Sequence, residues 1–198
     1  MQVSRTWQEA ARAAGIACTR LPDEPFPLGA MECLAALETG LCSFESYLSA
    51  ASNSLGCTPE QARLVHLAVL RGMFPGASDL LTDLRLAGIR MGCLSNTNKA
   101  HWREVLASPK YSPLRQIDMK MPSCEVGLQK PDAAIYERFA NEFNLDPESI
   151  VFFDDSAENI RGASACGWAA THISRADPVA QIRAKLSELQ VFPATASR

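Results

Sequence analysis

This 198-residue chain has little of what marks several common protein classes. Its seven cysteines (Cys18, Cys33, Cys42, Cys57, Cys93, Cys124, Cys166) include no CxxC pair and no cluster with histidine at zinc spacing, which excludes the usual structural zinc sites. Runs of positive charge are missing too. Nineteen Lys and Arg stand against 22 Asp and Glu, giving a formal charge of −3, and no basic stripe is left to neutralise a nucleic-acid backbone or hold an anionic membrane. No apolar stretch approaches the roughly 20 residues that a membrane-spanning helix needs. No secretory leader is recognisable at the start. With the odd cysteine count, this predicts reduced thiols in a cytoplasm, most of them small apolar fillers. The three histidines, His66, His101 and His172, stand at no metal or triad spacing and are expected to contribute little chemistry. There is no internal repeat and no low-complexity tract.

What is present suffices for one good core, or one core with a small appended domain, since 47% of the residues are hydrophobic. The first 75 residues read as consecutive helices, over Val3 to Ala14, Met31 to Thr39, Phe44 to Leu55 and Pro59 to Gly72, with no strand. Ser43 is placed to cap the third. Thr58 caps the fourth, with Pro59 at its first position. Between the first two, Leu21 to Pro27 carries three prolines and reads as a loop that includes Phe26. From Pro75 onward, short apolar runs alternate with helices, the pattern of a parallel sheet covered by crossover helices. The expected strands are Arg90 to Leu94, Ile117 to Met121, Ile150 to Phe153 and Ala169 to Ile173. The expected helices are Ala77 to Ala87, Lys99 to Leu106, Pro131 to Phe143, Glu158 to Cys166 and Pro178 to Leu189. In the third of these, Ile135, Tyr136, Phe139, Ala140 and Phe143 form one apolar stripe. The division is thus a helical domain at 1–75 and an α/β domain at 76–198.

Three constellations lie where open α/β sheets bind ligands, just past the carboxyl ends of strands. The turn Leu94-Ser95-Asn96-Thr97-Asn98 ends a strand in small polar side chains before a helix. It is suited either to capping that helix or to holding an anion with hydroxyls and backbone N–H groups. Lys130 precedes Pro131, which is expected to open a helix and so set the lysine at the helix's positive end, within reach of a phosphate; alone, a surface lysine is the commoner outcome. Phe152-Phe153-Asp154-Asp155 ends a buried strand in two adjacent carboxylates, whose repulsion calls for a cation or for raised pKa values. Oxygen-only ligands point to magnesium, against the plainer reading that Asp155 or Ser156 caps the next helix.

In this order, LSNT, QKPD and FFDD with a downstream asparagine resemble motifs II, III and IV of the haloacid dehalogenase (HAD) superfamily. The wording LSNTN, GLQKPDAAIYE and FFDDSAENIRGA is similar to small bacterial phosphatases with a helical cap, and Leu37 to Phe44 resembles one of their cap stretches. The resemblance implies a Rossmann-like parallel sheet with a helical cap domain over 1–75. It also implies a Mg2+-dependent phosphatase of small phosphorylated metabolites such as sugar phosphates. Ser95 would hydrogen-bond the transferring phosphoryl group, with Asn96 beside it on phosphate or substrate. Lys130 would neutralise developing charge and steady the nucleophile. Asp155 would ligate magnesium, Asp154 would be a second ligand or lie just behind it, and Asn159 would support the acidic loop.

The sequence departs from the family at its start. Members begin with an apolar strand ending in Asp-x-Asp, whose first aspartate attacks phosphorus; nothing resembling it precedes Val3, and the first aspartate is Asp23. The missing strand would be central, between those ending at Ser95 and Asp154, and its loss would leave its neighbours about 9 to 10 Å apart. Lost pairing and burial on that scale exceed a typical net stability of about 5 to 15 kcal/mol, so the chain is expected to continue upstream in its natural form and to be inactive without that segment. Two alternatives differ in outcome. A 2-haloacid dehalogenase shares the fold without needing a metal, and a non-catalytic HAD-like binding protein would fold as this chain alone.

Overall fold

The computed structural model describes residues 1–4, 6–19 and 28–191, of which 28–32 through their backbone only. Asp23 and Phe26, with the proline-rich segment around them, lie outside the described residues. In chain order the elements are β1 (Gln2–Val3), α1 (Trp7–Ala14), α2 (Leu28–Glu38), α3 (Phe44–Leu55), α4 (Pro59–Leu67), β2 (Leu70–Gly72) and α5 (Ala77–Leu86). There follow β3 (Gly92–Ser95), α6 (Lys99–Ala107), a 3-10 segment (Pro109–Gln116), β4 (Met119–Pro122) and α7 (Ser123–Val126). The chain continues through α8 (Ala133–Glu142), a 3-10 turn (Pro147–Ser149), β5 (Val151–Asp154), α9 (Ala157–Ala165), β6 (Ala169–His172) and α10 (Pro178–Glu188). The chain forms two compact units, the first from 1–73, 95–114 and 122–127 and the second from the remaining described residues. A single cut at 75/76 differs from this division in that α6 and α7 fold with the first unit.

Local chemistry explains the helices of the first unit. The Ser43 hydroxyl accepts from the Ser46 N–H at 3.1 Å and starts α3. Thr58 and Gln61 form a reciprocal capping box on α4, with Pro59 just inside. Two expectations are corrected. The first helix starts at Trp7 rather than Val3, because Thr6 caps it and Gln2–Val3 is extended. The helix expected over Pro59 to Gly72 stops at Leu67. Leu70 and Gly72 are buried on either side of exposed Arg71, a period of two, and this stretch pairs antiparallel with β1. Trp7, Ala10, Ala11, Leu37, Tyr47, Ala51, Leu55, Ala62 and Val65 make the core of this unit.

In the second unit β5 and β6 run parallel, in register from Val151 opposite Ala169 to Asp154 opposite His172. β3 pairs with β4, and the two pairs form separate two-stranded sheets among the described residues. On α8, Ile135, Tyr136, Phe139 and Ala140 are buried as the apolar stripe requires. Trp168 packs edge-on against Tyr136, Phe139 and Phe152, with centroids 5.2 to 5.8 Å apart. α9 comes close to the segment before α8: a Cβ at Gly162 would stand 2.5 Å from the Pro131 carbonyl oxygen and 2.9 Å from the Tyr136 ring, so only glycine fits. Pro131 does not open α8 as the sequence suggested. Asp132 caps it, its carboxylate accepting from the Ala134 N–H at 3.0 Å, and the helix begins at Ala133. Among the described residues no helix is long and apolar enough to cross a membrane.

Candidate active site

The most buried ion pair among the described residues of the second unit sits at the carboxyl ends of β3 and β5. The Lys130 ammonium donates to the Asp154 carboxylate at 2.7 Å and to the Leu94 carbonyl at 3.0 Å. Both side chains of the ion pair are only 9% exposed, so water screens it poorly. The same ammonium stands 5.5 Å from the centroid of the Phe152 ring. Asp154 is fully engaged. Its other oxygen accepts from the Ser156 N–H at 2.9 Å and the Asn159 amide at 3.0 Å. Burial raises the carboxyl's pKa, but the Lys130 charge and the bonds from Lys130, Asn159 and Ser156 outweigh it, and the group stays below its ordinary 3.8. Tyr136 donates to the Asn159 carbonyl at 2.8 Å and so fixes the residue that fixes Asp154. The site is an ionised carboxylate and an ammonium locked together where a parallel sheet ends.

Asp155, next along the chain, faces other partners. Its half-exposed carboxylate is ion-paired with Arg175, and its carbonyl lies 3.2 Å from the His172 imidazole. The cap of α9 is Ser156, whose hydroxyl accepts from the Asn159 N–H at 3.3 Å, so neither acidic residue serves that purpose. Among the described residues no three His, Cys, Asp or Glu side chains converge on one point. Magnesium seldom uses such an all-protein cage; it takes one or two carboxylates and completes its shell with water and phosphate. Two adjacent carboxylates, one of them half-exposed, fit that donor chemistry. Arg175 carried no signal in the sequence, since it lies twenty residues past Asp155 and outside every motif.

Ser95 and Asn96 belong to the first unit and are half-buried at the end of β3, with the Ser95 hydroxyl 3.5 Å from the Asn96 carbonyl. The Thr97 N–H donates to the Ser123 hydroxyl at 2.9 Å, and that hydroxyl lies 2.7 Å from the Glu38 carbonyl and 3.0 Å from the Thr97 carbonyl. Asn98, wholly buried, caps α6 by accepting from the His101 N–H at 3.0 Å. It also joins a chain whose directions follow from one fixed end. His101 Nε2 lies 2.7 Å from the His66 carbonyl, which only accepts, so Nε2 carries the proton. His101 Nδ1 then accepts from the Asn98 amide at 3.2 Å, Asn98 Oδ1 accepts from His66 Nε2 at 3.2 Å, and His66 Nδ1 accepts from the Tyr47 hydroxyl at 2.9 Å. The His101 ring is therefore neutral, and burial holds His66 neutral as well. They stack at 3.9 Å, and burial lowers both pKa values, that of His66 well below 6.5. Spacing along the chain gave no hint of this network. Near it, Leu37, Leu41, Phe44 and Lys99 are among the residues lining a cavity of about 330 Å³ within the first unit.

The chain belongs to the haloacid dehalogenase-like hydrolases, whose family model matches residues 3–167. Its fold is the α/β fold of that family. A HAD family enzyme from Bacteroides thetaiotaomicron, solved with magnesium and inorganic phosphate, superposes with a TM-score of 0.71 at 18% identity, covering 91% of this chain and 92% of that one. A phosphatase from Mycobacterium tuberculosis is 30% identical over 117 residues, which are 59% of this chain and 52% of the relative. A (S)-2-haloacid dehalogenase from Burkholderia cepacia is 26% identical over 102 residues, 52% of this chain and 43% of the relative. The chain thus spans about half the length of these curated relatives.

Proposed function

We propose that this chain belongs to a Mg2+-dependent phosphatase that hydrolyses small phosphate monoesters, such as sugar phosphates, in the cytoplasm. The observation that carries the reading is the buried Lys130 ammonium, fixed by Asp154 and Leu94 at the ends of two strands. Phosphoryl transfer depends mainly on positioning and on stabilising charge that spreads over the phosphoryl oxygens, and a desolvated, immobile ammonium does this without reorganising. Ser95 and Asn96 supply the polar contacts to the phosphoryl group and substrate. Asp155, with Asp154, would hold the magnesium, which when bound supplies further positive charge to the phosphate; Asn159 and Ser156 keep the acidic loop in shape. The chemistry calls for an aspartate nucleophile on an Asp-x-Asp strand, and attack by its carboxylate would give an aspartyl phosphate. No partner is needed beyond the metabolite, and neither nucleic acid nor membrane is one.

The test is hydrolysis of a panel of sugar phosphates and nucleotides by the polypeptide extended upstream through an Asp-x-Asp strand, beside the 198-residue chain. Magnesium-dependent release of phosphate by the extended form, and its loss by a factor of about 100 or more in the extended K130A variant, are expected. A folded, magnesium-loaded extended protein that leaves the whole panel intact would refute the reading. Activity on a 2-haloacid with no metal requirement would move the assignment to the dehalogenases, to which the Burkholderia relative belongs.

A further inference from the structure

The exit of α1 and the three-residue turn between α3 and α4 each place a cysteine against the same core. Gly15, in the left-handed region at φ 67°, ends α1, and the Ile16 N–H returns to the Ala11 carbonyl at 3.0 Å, which fixes the path into Cys18. Gly56, at φ 61°, ends α3, and the Cys57 N–H returns to the Ser52 carbonyl at 3.1 Å, while Thr58 begins the α4 capping box. Cys57 therefore sits on a backbone pinned from both sides. The two segments are tied where it matters: the hydroxyl of Thr19, next to Cys18, donates to the carbonyl of Gly56, next to Cys57, at 2.7 Å. Both cysteines pack on the Trp7, Tyr47 and Val65 core and are half-exposed, which leaves them open to a small thiol reagent.

We propose that Cys18 and Cys57 form a modification site, a dithiol that closes to a disulfide by exchange with a low-molecular-weight disulfide such as glutathione disulfide. Burial first, then the neighbouring Cys18, push the Cys57 thiol up to about 11, in keeping with the closeness that the Thr19–Gly56 bond imposes on the two segments. Its raised thiol pKa makes Cys57 a poor first nucleophile, so exchange opens at Cys18. Its thiolate displaces one glutathione thiolate and forms a mixed disulfide; the Cys57 thiolate then attacks the Cys18 sulfur and displaces the second glutathione. The protein loses two hydrogens, which appear on two glutathione thiols, and a sulfur–sulfur bond replaces that of the reagent. The bond staples the α1 exit to the α3–α4 turn and constrains the unfolded chain, so it is expected to raise the midpoint of thermal unfolding by about 5 to 15 °C.

The experiment equilibrates the full chain with glutathione disulfide, blocks remaining thiols, and digests it unreduced with trypsin and a glutamate-specific protease. Those cuts isolate 13–20, holding Cys18, from 46–60, holding Cys57, with no other cysteine in either peptide. A linked 13–20/46–60 pair that dithiothreitol releases, with a raised melting midpoint, is the expected result. In the C18S and C57S variants the remaining thiol should carry glutathione instead. Persistent glutathione on the unmutated protein at either position, both thiols left unreacted, or a link that joins either one to another cysteine would overturn the proposal. Peptide mapping needs no variant, so a misfolded mutant does not blunt the test.

Discussion

Acid should weaken the first unit, because His66 and His101 are buried as neutral rings in the hydrogen-bond chain from Tyr47 through Asn98. A second proton on His101 would sit on Nδ1, facing the Asn98 amide hydrogens, with no acceptor there. Both histidines have depressed pKa values in the fold, whereas in the unfolded chain they titrate near 6.5. Below that value the unfolded state binds more protons, so stability falls as the pH falls. Each ring that stays neutral in the fold costs about 2 kcal/mol between pH 7.5 and 5.0, at about 1.4 kcal/mol per pH unit once past 6.5. His66, held well below 6.5, contributes most of this loss, and the lowered His101 adds to it in the same direction. The ionised Asp154 contributes in the same direction only at lower pH: its pKa is depressed, so its contribution is intact above 3.8 and disappears as the pH falls through its folded-state value. Urea unfolding followed by tryptophan fluorescence at the two pH values measures the difference, and histidine NMR titration identifies the rings. Equal stability at both pH values, or a His66 or His101 ring in the folded protein that protonates near 6.5, would refute the reasoning.

Two further outcomes follow from contacts in the second unit. Replacing Lys130 by methionine removes one member of an ion pair that is 9% exposed on each side and strands the Asp154 carboxylate; a loss of about 3 to 5 kcal/mol in denaturant melts is expected, with the Asp154 pKa moving upward by NMR. Gly162→Ala should cost about 1 to 3 kcal/mol or more, since its methyl would meet backbone at 2.5 Å, and a thermal midpoint equal to that of the parent would contradict the packing.

The elements whose signals are local were legible in the sequence. Ser43 and Thr58 sit beside the helices they cap, and the stripe on α8 lies within ten residues. β2 was not legible, because Leu70 to Gly72 continues the apolar pattern of α4 and becomes a strand only through Gln2–Val3, far off in sequence. Lys130 and Asp154 stood out as motif residues, but their mutual bond is a tertiary fact. Asp155 shows the limit from the other side: its place next to Asp154 was legible, but its ion pair with Arg175, twenty residues on, was not. The pairing of His66 with His101 depends on α4 lying against α6, which periodicity does not reveal.

Ser123 makes a narrow demand on its own replacement. One fully buried oxygen receives the Thr97 N–H and offers its only hydrogen toward two carbonyls, Glu38 and Thr97, so three stretches far apart in the chain meet at a single atom. Alanine supplies no such atom, cysteine's longer and weaker sulfur alters every length at once, and threonine brings a methyl group into space already filled. Position 123 is thus closed to drift even though it carries no chemistry of its own.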